Sequence, residues 1–230
     1  MAPSNTPEAG HPSAFFDDLL RRVPELMAWF DEADETTLRI VAAAKAQIEA
    51  VGWRRTTIDD IATRARMGRA TIYRKFPTKS DILDGVLAGE VRNYYRARAS
   101  LTYEGTIEQR IATTAVFTVQ RIRDNAMLNR MIEAEPETIL PALTRDAGPL
   151  FELVAELSIP RWRHEIDDGA PLSPERLQHY RTVAELHTRI TLSFLLTRTT
   201  NIALDTQEQV EAFATAYLAP LLLRDDWKSS

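Results

Sequence analysis

Arg69, Ala70, Thr71, Ile72, Tyr73, Arg74 and Lys75 follow one another, with Arg66 just before them and Lys79 just after. Guanidinium, ammonium, hydroxyl and phenol groups at that density suit a polyanion better than acid–base or nucleophilic chemistry. If the segment is helical, Ile72 turns inward, and Arg69, Ala70, Thr71, Tyr73 and Arg74 project outward. Arg69 then offers two parallel donors to a guanine edge, and Thr71 meets a thymine methyl group or a phosphate. Tyr73 and Lys75 are better placed for backbone phosphates, which set register without reading sequence. Arg66 adds a further phosphate contact. Lys79 adds charge in the first turn of the next helix, where free N–H groups already attract a phosphate. Thr57, heading the preceding helix, completes the candidate contacts to double-stranded DNA.

Three short elements must position these side chains. Ile40, Ala44, Ile48 and Val51 share one face of a helix running from about Thr37 to Val51, and Gly52 is its stop signal. Thr56 or Thr57 caps a second helix that buries Ile58, Ile61, Ala62 and Ala65. The two alanines let the following helix cross closely. Met67 plugs the turn, Gly68 is a weak cap, and Ile72 with Phe76 anchors a third helix over Arg69–Lys75. Thr78 with Asp81 three residues on opens a long helix to about Ser100. The pattern is a helix-turn-helix followed at once by a long helix, and the first residues of its second helix reach base edges in the major groove.

The charge distribution agrees. Residues 35–80 hold ten Lys or Arg against four Asp or Glu, a net of +6, while residues 1–34 carry −5 and residues 81–230 carry −6. A basic module between acidic flanks directs one small region toward nucleic acid and keeps the rest away. The bland alternative is a three-helix structural module with a solvated basic face.

Gly52-Trp53, Thr56-Thr57-Ile58-Asp59-Asp60-Ile61-Ala62 and Arg69-Ala70-Thr71-Ile72-Tyr73-Arg74-Lys75-Phe76-Pro77-Thr78-Lys79 resemble the DNA-binding domain of the TetR family of transcriptional regulators. The resemblance covers residues 37–84. It departs from the family at Arg66, where Gly is usual, at Gly68, where Ser is frequent, and at Lys75, where His is common. It implies a homodimeric regulator, more often repressor than activator, with a helical ligand-binding and dimerisation domain. The last two long helices would pair with their copies in the second subunit.

The rest of the 230 residues reads as helical. Hydrophobic content is 44%, charged content 27%, and only eight residues are Gly. The predicted class is all-α, with an N-terminal extension over 1–33, a helix-turn-helix domain over 34–80, and a helical bundle over 81–230. In the extension, residues 1–13 read as disordered. Phe15, Leu19, Leu20, Val23, Leu26, Met27 and Phe30 then make an apolar stripe that Pro24 is expected to break into two short helices. Exposed, that stripe would be a liability, so packing against the DNA-binding domain is expected. Further helices are expected over about 106–123, 125–134, 149–166, 173–199 and 205–222. Apolar stripes on the last two, through Leu177, Tyr180, Ala184 and Leu195 and through Val210, Phe213, Tyr217 and Leu221, suit a dimer interface.

Tyr94, Phe117, Met127, Met131, Phe151, Trp162 and His187 are candidates to line a pocket for a small, largely apolar effector. Ordinary core packing is the competing reading for each, and a second domain serving only dimerisation or protein contacts is the competing function. No Gly-rich phosphate loop, Gly-x-Ser-x-Gly elbow or His-Glu-x-x-His pair supports an enzyme. No motif requires a cofactor, cysteine is absent, and His11, His164, His179 and His187 lack metal-site spacing. The polar start shows no secretory pattern, and the longest uncharged run, Ala212–Leu223, is too short to span a bilayer. A cytoplasmic location without membrane contact is the expectation.

Overall fold

The computed structural model describes residues 12–102, 104–197 and 199–224, with side chains from residue 20 onward. Every regular element among them is helical: α1 (Pro12–Asp31), α2 (Glu35–Val51), α3 (Ile58–Ala65), α4 (Arg69–Lys75), α5 (Lys79–Ala99), α6 (Ile107–Arg123), α7 (Ala126–Ala134), α8 (Pro136–Leu143), α9 (Gly148–Ile166), α10 (Pro174–Leu196), α11 (Gln207–Phe213) and α12 (Ala219–Leu223). The protein is all-α. No described helix is long and apolar enough to cross a membrane.

Side-chain caps explain most of the starts. Thr57, Thr106 and Thr206 close capping boxes with Asp60, Gln109 and Gln209. Asp34, Asn125 and Ser173 each accept a hydrogen bond from the backbone N–H three residues on. Thr78 and Asp81 exchange reciprocal bonds at the head of α5. Each pairing satisfies donors that a helix start leaves orphaned.

The structure corrects four expectations. α1 runs unbroken through Pro24. Val23 and Leu26, both buried, flank the proline, and their burial offsets the missing hydrogen bond. α8 was not anticipated, although Pro136 at its first turn is a recognised start signal. The C-terminal helix is not uniform either: a π turn over Ala214–Leu218 separates α11 from α12. Pro220 has no N–H to continue the ladder, and the helix widens just ahead of it. α1 also begins at Pro12, inside the segment expected to be disordered. Residues 1–11, and the side chains of Phe15 and Leu19, lie outside what is described.

Contacts gather the chain into two units. One holds the described residues through Ala97 together with Asn125–Pro149; the other holds Arg98–Asp124 with the described residues from Leu150 on. α7 and α8 therefore sit with the helix-turn-helix. α7 packs on α2, and α8 packs on α1. The core of the first unit joins Ile40, Ile48, Ile61, Ile72, Phe76 and Leu83 to Leu26 and Phe30 of α1 and to Met127 and Met131 of α7. In the second unit, Trp162, Tyr180, Val183, Ala184 and Leu222 form one cluster, and Val116, Leu204 and Val210 form another.

Of the N-terminal stripe, Val23, Leu26 and Phe30 are buried and Leu20 and Met27 are half-buried. The Phe30 ring lies so close to Gly89 that a Cβ there would stand 3.0 Å from it. Arg22 pairs with the buried Asp84 at 3.0 Å. Asp31 accepts from both Arg92 and Arg96, and the Arg92 guanidinium lies over the Phe30 ring. Trp29 meets Phe76, the residue after α4, edge-on with ring centres 5.9 Å apart. Truncating Phe30 to alanine should therefore lower unfolding stability by about 3–4 kcal/mol. Urea denaturation followed by far-ultraviolet circular dichroism measures this, and an unchanged midpoint would mean that α1 is not docked.

Candidate nucleic-acid interface

α3 is eight residues long and α4 is seven, too short to be stable alone. Their geometry is imposed by what they bury. Ile58, Ile61, Ala62 and Ala65 face the core from α3, and Ile72 with Phe76 does so from the other side of the turn. Between them Arg66 adopts the left-handed conformation, φ 55° and ψ 47°. Its N–H donates to Thr63 O, and Met67 N donates to Ala62 O. Gly68 then enters α4 in an extended conformation without a side-chain cap.

With Ile72 turned inward, the opposite face of α4 faces solvent. Arg69, Ala70, Tyr73 and Arg74 are exposed, as are Arg66 and Thr57, whereas Thr71, Lys75 and Lys79 are half-buried. The expected outward projection therefore holds for Arg69, Ala70, Tyr73 and Arg74. Thr57 caps α3, its hydroxyl accepting from Asp60 N and donating to the Asp60 carboxylate. Donation to that carboxylate by the Thr57 hydroxyl, and then by the Thr57 backbone N–H, holds the Asp60 carboxyl below its ordinary range. The Tyr73 phenol, then Asp59, reinforces the charged form of the Arg69 guanidinium.

Besides Arg69, two candidate cations are engaged within the unit. Lys75 pairs with Asp34, the α2 cap, at 2.5 Å. Lys75, followed by the Thr37 backbone N–H and hydroxyl, holds that carboxyl well below the usual carboxylate range. Lys79 donates to the Trp53 carbonyl at 2.8 Å and lies over the Trp53 ring at 4.1 Å. Burial lowers its pKa, against the attraction of Glu135. Lys79 is thus partly committed to shaping the α2–α3 loop rather than standing free for phosphate.

That loop is clamped from behind. Gly52 takes φ 88°, and a Cβ on it would sit 2.5 Å from the Glu135 carboxylate, which accepts from Arg54 N. Arg54 also pairs with Glu137 at the head of α8. Both acids lie about eighty residues along the chain, so no local signal links them to the loop. Sequence reasoning also passed over Arg55, exposed two residues before the Thr57 cap, although it sits in the same basic run. It missed the partner of Arg69 as well: Asp59 lies 3.2 Å away, ten residues back and one helix earlier.

The seven pocket candidates divide between the units. Met127 and Met131 are core of the first unit, and Tyr94 meets Tyr95 edge-on there. Phe117, Phe151, Trp162 and His187 belong to the second unit. Arg121 covers Phe117 and Arg189 covers Phe151, while Trp162 and His187 are in edge contact at 6.1 Å. Desolvation of the part-buried His187 ring lowers its pKa, partly offset by its bond to the Leu218 carbonyl in the π turn. Beside Trp162, Tyr180 donates to the Asp167 carboxylate, which also pairs with Arg176. Burial, then that bond, raises the Tyr180 phenol above its ordinary range.

Parts of the chain are similar to known proteins. Residues 40–86 match the profile of bacterial regulatory proteins, tetR family. The structure is similar to the crystal structure of the TetR family repressor AlkX from Dietzia sp. strain DQ12-45-1b, at TM-score 0.56 and 21% identity over 80% of this chain and 96% of that one. A TetR transcriptional regulator from Rhodococcus sp. RHA1 aligns over 84% of this chain and 100% of its own at TM-score 0.49 and 17% identity. A 75-residue stretch is 37% identical to Shikimate kinase 1 of Sodalis glossinidius (strain morsitans); it spans 32% of this chain and only 39% of that protein's length.

The left-handed Arg66 generates a prediction. A non-glycine residue there costs roughly 1–2 kcal/mol, and the freer unfolded chain of a glycine variant returns part of it. Arg66→Gly should raise unfolding stability by about 0.5–1 kcal/mol. It should also make the salt dependence of duplex binding shallower by about 0.9 in log–log slope, through loss of one phosphate contact. Denaturation and salt titration by fluorescence anisotropy measure the two effects separately.

Proposed function

We propose that the chain, whose residues 40–86 match the tetR family profile, is a DNA-binding transcriptional regulator of that family that grips a palindromic operator as a homodimer and acts as a repressor released by a small apolar effector. The exposed face of α4, built by the burial of Ile72 and Phe76, carries the reading. Arg69 reads a guanine edge, Ala70 and Thr71 approach bases, and Thr57, Arg66, Tyr73, Arg74 and Lys75 hold phosphates. Lys79 contributes charge from beside Trp53.

One such head contacts few bases, so two must be held about 34–36 Å apart to read both halves of a palindrome. The last two long helices supply a surface for that pairing. Tyr180, Val183, Ala184, Val210 and Ala214 turn into their own unit, leaving Leu186 exposed on α10 and Tyr217 63% exposed on the π turn. Large apolar side chains left outside support association with a second copy. An effector bound within the second unit would change the spacing of the heads by favouring one of two dimer states.

A second reading keeps the DNA contacts and the dimer but has no small-molecule ligand. It is favoured by Met127 and Met131, which fill the first unit's core, and by the mutual engagement of Tyr180, Asp167 and Arg176 beside Trp162. A panel of linear alkanes and fatty acids separates the two: release of DNA by any member supports the effector reading, and no release by any supports the second.

The DNA assignment is tested with duplex sites selected by the protein from a random-sequence pool. Arg69→Ala with Tyr73→Phe should weaken binding to the selected site about 10- to 100-fold, with far less effect on a mixed-sequence duplex. Equal affinity of variant and parent for the selected site would refute it. In sedimentation, Tyr217→Asp with Leu186→Glu should shift the protein toward monomer.

A further inference from the structure

Arg69 differs from the other exposed arginines of the helix-turn-helix. Among the described residues Arg66 and Arg74 have no ion pair, whereas the Arg69 Nη1 donates to Asp59 Oδ2 at 3.3 Å and Nε lies 3.2 Å from Oδ1. Asp59 takes no part in capping α3, whose capping box is closed by Thr57 and Asp60. Both partners are well exposed, at 59% and 64% of their side-chain surface. An ion pair so open to water adds little to folding. Its consequence lies in what the guanidinium can do for a third group.

A guanidinium carries five N–H donors in a planar fork. Asp59 lies against Nε and one Nη1 donor, and the donors at the outer edge remain available. Two acceptors compete for them on a duplex: the neutral O6 and N7 of a guanine, and the anionic oxygens of a phosphate. A carboxylate alongside the fork repels the phosphate and leaves the guanine nearly unaffected. It also limits the rotamers of a long side chain before binding, which reduces the ordering cost of reaching one base.

We propose that Asp59 is a specificity-determining positioning residue: by holding Arg69 in an ion pair on the α3 side, it biases the guanidinium toward a neutral base edge and away from backbone phosphate. The inference rests on Arg69 being the base reader proposed above. Asp59 itself touches no base, and its effect runs through Arg69.

The test compares the full chain with D59N, D59E, R69A and D59N/R69A. Anisotropy is measured over a range of salt concentrations on the parent's selected site and on a mixed-sequence duplex of equal length, and each protein also reselects sites from a random pool. D59N should bind the mixed-sequence duplex about threefold tighter at low salt, with a salt slope steeper by about 0.9, as for one added phosphate contact. Its gain on the selected site should be smaller, so the specificity ratio falls. Its reselected sites should lose preference only at the base pairs that R69A also blurs. D59E keeps the charge and should keep the parent's ratio, and D59N should not change the base profile in the R69A background.

An unchanged ratio in D59N overturns the proposal. So does a D59E variant that behaves like D59N, or a profile change that persists without Arg69, since Asp59 would then read a base directly. If R69A leaves the profile intact, the assignment of Arg69 as base reader fails first. If R69A blurs it and D59N does not, the role of Asp59 alone fails.

Discussion

A helix of seven residues cannot hold its own shape in water, yet the surface proposed to face DNA is one face of such a helix. Everything outside therefore depends on the anchoring of Ile72 and Phe76 inside. Ile72 sets the rotation of α4, and with it which side chains reach solvent. Phe76 ties the end of α4 to the core and to Trp29 of the N-terminal helix. A polar substitution at either position would leave every exposed side chain of α4 in the sequence, but it would free the element that aims them.

Around that anchor the electrostatics are more balanced than a net of +6 suggests. Two of the cations nearest the reading surface sit against carboxylates of their own domain, Arg69 with Asp59 and Lys75 with Asp34. Lys79 sits against a carbonyl and an aromatic ring. Among the described residues Arg66 and Arg74 have no ion pair. The surface thus mixes restrained and unrestrained cations, a physical basis for separating base reading from phosphate gripping. Charge counting along the chain finds the module and does not find this distinction.

The same module extends further than its sequence boundaries. α1 covers it through Phe30 and Arg22, and α7 and α8 clamp its first loop through Glu135 and Glu137. Gly52 is where the clamp closes, and its positive φ and the lack of room for a Cβ both require glycine. The reading head is thus braced by elements that precede it and by elements that follow it after a long interval. Movement of α7 or α8 has a direct route to the α2–α3 loop within one packed unit.

Periodicity and capping signals in the chain determined the helix boundaries of the helix-turn-helix, because Thr57, Asp60, Thr78 and Asp81 act on neighbours three residues away. They also determined which face of α4 is apolar. The continuity of α1 through Pro24 was beyond them, since burial of Val23 and Leu26 by distant helices outweighs a local penalty. The partner of Arg69, the placement of Met127 and Met131 in the first unit's core, and the Glu135 clamp were likewise decided by tertiary structure. Each joins residues of different helices or of the loops between them, ten to about eighty positions apart, and such pairings are set by how helices cross, which no local pattern of residue types encodes.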